Sequence, residues 1–123
     1  MNEPLALLLC DRGVITSQLA QRLEAVRYRF ASTKAADLVA SAESQQAMIV
    51  LADVEGLPAP VIAAIGQLRA NTATAHIPVI AFAKEAGDPM QADLVAKGAT
   101  LVVNEVAVLS HLSQLLDRAL EIS

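Results

Sequence analysis

Apolar residues fall along this chain in short blocks, and their spacing switches repeatedly between two periods. Leu5 to Cys10 is a continuous apolar run, as in a strand covered on both faces. Val14 to Val26 instead sets Ile15, Leu19, Leu23 and Val26 at helical spacing. Tyr28 to Ala31 reads as a short strand. Ala35 to Ser44 reads as a helix with Thr33 as N-cap. Ala47 to Ala52 is a central strand that runs straight into Asp53. Pro60 to Ala70 follows as a helix with Val61, Ile65 and Leu68 on one side. After the polar stretch Asn71 to His76, Ile77 to Ala83 forms the next strand, with Pro78 near its start. Asp88 caps a helix with Pro89 at its first helical position, and Gly98 ends it. Thr100 to Val103 is the last strand. Val106 to Leu120 is the last helix, striped by Leu109, Leu112, Leu116 and Leu120.

Strict alternation of apolar strands and helices predicts an α/β fold, a doubly wound five-stranded parallel sheet with helices on both faces. Right-handed crossovers leave few topologies, and the favoured one is the flavodoxin-like order 2-1-3-4-5. Sites in that order form outside the carboxyl ends of strands 1 and 3. Those ends carry Cys10-Asp11 and Asp53.

Composition narrows the chemistry. The 123 residues suit one domain spanning 1–123. The core is aliphatic, because aromatics are 2% of the chain. That scarcity, with a net charge of −4, argues against direct nucleic-acid binding. Arg22, Arg27 and Arg29 cluster near one helix end, read as solvated. A single cysteine excludes an internal disulfide and suits a reducing cytoplasm. No apolar run approaches the roughly 18 residues of a membrane span, and no basic leader precedes an apolar stretch. The expectation is a cytoplasmic domain. His76 and His111 lack metal-ligand spacing. Neither a glycine-rich phosphate loop nor a serine nucleophile elbow is present, so enzymatic turnover is not expected.

The segments "LLLCDRG", "IVLADVEGLP", "HIPVIAFA" and "VAKGATLVV", in this order and spacing, resemble the receiver (CheY-like) domain of two-component response regulators along essentially the whole chain. The resemblance implies that Asp53 stands at the phospho-acceptor position and that Asp11 would help it hold a divalent ion. Other family positions are altered. Cys10 replaces the first acid, and a thiol is a poor magnesium ligand. Ala83 stands where a hydroxyl belongs. The lysine position falls on Glu105 or, with a one-residue shift, on Asn104. "DVEGLPAP" carries one extra residue before Pro58. Lys84 offers a substitute cation only if the backbone bends, and Asp53 is left with no evident cation.

These departures imply a degenerate pseudo-receiver that signals by protein–protein contact, with Asp11 and Asp53 a weak magnesium pair and no other cofactor. The implied partner is a signalling protein, a histidine kinase or an output domain. It would contact helix 4, strand 5 and helix 5 at Met90, Val95, Leu101 and Leu109, a face that would also serve a homodimer. Two alternatives stand beside it: a regulator phosphorylated at Asp53, and a flavodoxin-like small-ligand module. A stand-alone adaptor and a piece of a larger protein fit the sequence equally.

Overall fold

Five runs of aliphatic residues pair side by side into a parallel sheet of order β2-β1-β3-β4-β5, the predicted topology. The computed structural model describes residues 4–10, 12–55, 58–84 and 87–122, and at 58, 88–90 and 122 the backbone only. The strands are β1 (Leu5–Leu9), β2 (Arg29–Ser32), β3 (Ile49–Asp53), β4 (Val79–Ala83) and β5 (Leu101–Asn104). The helices are α1 (Gly13–Ala25), α2 (Leu38–Gln45), α3 (Pro58–Ala70), α4 (Asp88–Lys97), α5 (Glu105–Ser110) and α6 (Leu112–Ile122).

Alternation along each strand divides the core in two. Leu5, Leu7, Leu9, Val50, Ala52, Val79 and Ala81 pack with Leu38, Ala42, Val61, Ile65, Leu68 and Leu94 from α2, α3 and α4. Ala6, Leu8, Ile49, Leu51, Ile80 and Phe82 pack with Ile15, Leu19, Leu23, Val108, Leu112 and Leu116 from α1, α5 and α6. Asp53 continues the parity of Ile49 and Leu51, so it leaves β3 on the side of α1 and α5.

Several element ends depart from expectation. Thr33 does not cap α2: its hydroxyl lies 3.1 Å from that of Ser41, and a 3-10 turn over Ala35–Asp37 leads into the helix. Gly87, not Asp88, is the N-cap of α4. The last helix is two, because the chain bends at His111 between α5 and α6. Gly98 does end α4, at a φ of 120°. A Cβ there would sit 2.5 Å from Cγ of Arg69. That guanidinium ties α3 to the β4 and β5 approaches, donating to the carbonyls of Gly98 and Ala75 at 2.7 and 2.8 Å and to Thr100 Oγ1 at 3.0 Å. Burial lowers its affinity for the proton. Among the described residues, no helix is long and apolar enough to cross a membrane.

Candidate functional site

Asp53 ends β3 opposite Phe82 of β4, and its side chain is only 2% exposed. A carboxylate so far from water needs donors for its lone pairs. Arg12 supplies two of them. Its Nε donates to Oδ2 at 2.6 Å and its Nη2 to Oδ1 at 3.1 Å, a fork on a carboxylate. The backbone N–H of Glu55 donates to Oδ1 at 2.9 Å. Asp53 therefore has a partner on each oxygen without any bound ion.

Local sequence explains why Arg12 reaches it. Arg12 is the N-cap residue of α1, with extended backbone at φ −89° and ψ 106°. It carries no acceptor and cannot cap the helix, and its charge opposes the helix dipole there. The side chain turns across the end of β1 instead. Thr16 fixes the turn by donating its hydroxyl to the Arg12 carbonyl at 3.1 Å. The remaining nitrogen, Nη1, lies 2.6 Å from Oε1 of Glu105. Glu105 Oε1 has no aligned hydrogen bond, so this contact is one of charge. The hydrogen bonds to Asp53, ahead of the Glu105 contact, push the Arg12 pKa above its already high value. Arg12 is thus cationic at every accessible pH.

Asn104 and Glu105, the two candidates expected for a lysine position, have different roles. Asn104 caps α5, its Oδ1 accepting from the N–H of Ala107 at 2.8 Å. Glu105 begins that helix and reaches inward to Arg12. Relative to the expected arrangement the charges are exchanged: the cation comes from the β1–α1 loop and the anion from the start of α5. The expectation that Asp53 lacks a cation is corrected here. The signal for it in the sequence is the "DR" of "LLLCDRG", a long cation at the mouth of the strand pair that opens onto Asp53. Acids at strand ends stand out in the sequence, whereas the arginine that follows one of them does not.

Cys10 is half-buried, with Sγ 3.4 Å from Asp53 Oδ2 and 3.7 Å from the Arg12 carbonyl. Burial, then the charge of Asp53, raises its pKa, while the Thr16 and Arg12 hydrogen bonds oppose this. Ala83 is wholly buried and brings no hydroxyl. Lys84 is exposed, and it is the backbone N–H of Lys84 that enters the network, donating to Glu55 Oε2 at 2.9 Å.

Asp11 and the side chain of Met90 lie outside the described residues. Of the other residues assigned to the partner face, Val95 is 54% exposed. Leu101 and Leu109 are half-buried and pack on the core beneath α5 and α6.

Magnesium requires several hard oxygens in near-octahedral array. The described groups do not fit that demand. Asp53 already accepts from Arg12 and Glu55, Cys10 offers sulfur, and a guanidinium stands where a second positive charge would have to approach.

By sequence, neither a family model nor a curated protein matches the chain. Solved structures do. The Vibrio cholerae chemotaxis protein CheY4 superposes with a TM-score of 0.85 at 16% identity, covering 96% of this chain and 99% of its own. The receiver domain of a sensor histidine kinase from Pseudomonas aeruginosa, with magnesium coordinated in its active-site cleft, gives 0.84 at 21%, covering 98% and 99%. The response regulator domain of Thermotoga maritima CheB gives 0.81 at 14%, covering 99% of each. The likeness extends over the whole sheet and its helices, and the chain has the fold of the CheY-like receiver domains of response regulators.

Proposed function

We propose that this chain is a pseudo-receiver, a signalling module that works by protein–protein contact and does not accept phosphate at Asp53. One observation carries the reading: the Arg12 fork occupies both oxygens of Asp53. A nucleophilic carboxylate must free one oxygen for in-line attack, and its site must stabilise charge on the transferred group. Here the attacking group is paired, Ala83 offers no hydroxyl, and Glu105 presents a negative charge at the lysine position. The partner is a signalling protein reached through the α4–β5–α5 side, where Val95 is exposed.

Incubation with magnesium and either acetyl phosphate or beryllofluoride tests the proposal. The expected outcome is no adduct by intact mass and no beryllofluoride-dependent rise in Tm. Stoichiometric modification of Asp53 by either reagent overturns it.

A further inference from the structure

We infer that Arg12 is the resident cation of this site, standing in place of a divalent ion and holding together by charge three chain segments, the β1–α1 loop, the end of β3 and the start of α5. The inference deepens the pseudo-receiver reading and rests on it. Arg12 lies between β1 and α1, Asp53 at the end of β3, and Glu105 at the start of α5. One guanidinium touches both acids, at 2.6 Å in each case by its shortest contact. Its reach is through different nitrogens, Nε and Nη2 to Asp53 and Nη1 to Glu105. A planar five-donor fork serves this bridging better than a lysine point charge.

Charge balance sets the response of the site to a metal ion. Asp53 and Glu105 contribute two negative charges and Arg12 one positive charge, so the three leave a net −1. With Arg12 in place, a divalent ion must either displace the guanidinium or sit beside a like charge. Without Arg12, Asp53 is a buried carboxylate whose partners among the described residues are the Glu55 N–H and the Cys10 thiol, with Glu105 nearby. Such an arrangement gains from any hard cation that enters. Metal dependence is therefore latent in this chain and suppressed by one side chain.

Thermal unfolding of the full chain is the test, in magnesium chloride and in sodium chloride of matched ionic strength. Wild-type Tm is expected to be the same in both salts. Arg12→Ala is expected to lose about 5 °C or more in sodium chloride, as when one partner of a buried pair is removed. Magnesium should restore at least half of that loss. Arg12→Lys, which keeps the charge, should show no magnesium response. A saturable rise of wild-type Tm in magnesium overturns the inference, as does an Arg12→Ala variant with unchanged Tm or no recovery. A second measurement needs no variant to fold. Manganese added to the wild-type protein should not selectively broaden the amide resonances of Cys10, Asp53, Glu55 and Glu105, and selective broadening there overturns the inference equally. No phosphoryl donor is present in either experiment. Metal binding by the wild type would thus sink this inference while leaving the inertness of Asp53 to be judged by its own assay.

Discussion

Cys10 is the residue whose chemistry the site changes most measurably. Its thiol sits against the Asp53 carboxylate, and burial followed by the Asp53 charge raises its pKa above an ordinary 9.0. A raised folded-state pKa means the native protein holds the proton more tightly than the unfolded chain. The associated stability is fully present below the unfolded pKa and is lost as pH rises through the folded one. Two outcomes are expected. Alkylation of native Cys10 by iodoacetamide should lag behind that of the denatured chain as the pH is raised through the ordinary thiol pKa of 9.0. Cys10→Ala should flatten part of the alkaline fall in Tm, leaving the part due to Tyr28, which burial and then Asp117 also raise. A native alkylation profile matching the denatured one would contradict this. The sequence disclosed the identity of Cys10 and the like-charged acid beside it. It did not disclose the role of Arg12, because that role depends on a salt bridge between positions 41 apart in sequence.

At the scale of elements, α5 is the least self-sufficient helix of the fold. Six residues cannot sustain a helix by propagation alone. Its start is held by the Asn104 cap and by Glu105, an acid in the first turn that also suits the helix dipole. Asn104→Ala should therefore cost about 1 kcal/mol in urea unfolding, with Asn104→Asp nearly neutral. An equal loss for both variants would show that the cap is not what matters. The leucine stripe forecast this region as one continuous helix, and period alone could not see the break. Leu112, Leu116 and Ala119 keep one buried face after His111, so the pattern stays in phase across a bend that hydrogen bonding defines. By contrast β1, β3 and β4 were legible to within about two residues, because strands buried on both faces must be apolar throughout. The edge strand β2, largely exposed, carried a weaker signal and lies one residue beyond its expected place.

For the molecule as a whole, the sheet is a wall shared by two cores. Leu7 and Leu8 are adjacent, wholly buried, and face opposite sides of it. Each is backed by three helices, yet they share one backbone and the same ladders to β2 and β3. If the two cores melted separately, a cavity on one side would leave the other side's transition in place. The shared ladder argues otherwise, since loss of either face removes the support on which β1 pairs. Leu7→Ala and Leu8→Ala should each cost about 2–5 kcal/mol. Both should lower a single transition, with far-UV circular dichroism and fluorescence coinciding. Fluorescence is informative because Tyr28 is the only tyrosine, tryptophan is absent, and Tyr28 packs against the α1, α5 and α6 side. Leu7→Ala acts on the other side, so a shift in dichroism that leaves the Tyr28 signal behind would divide the fold into two units. A common shift would show that the two faces of the sheet unfold as one cooperative unit.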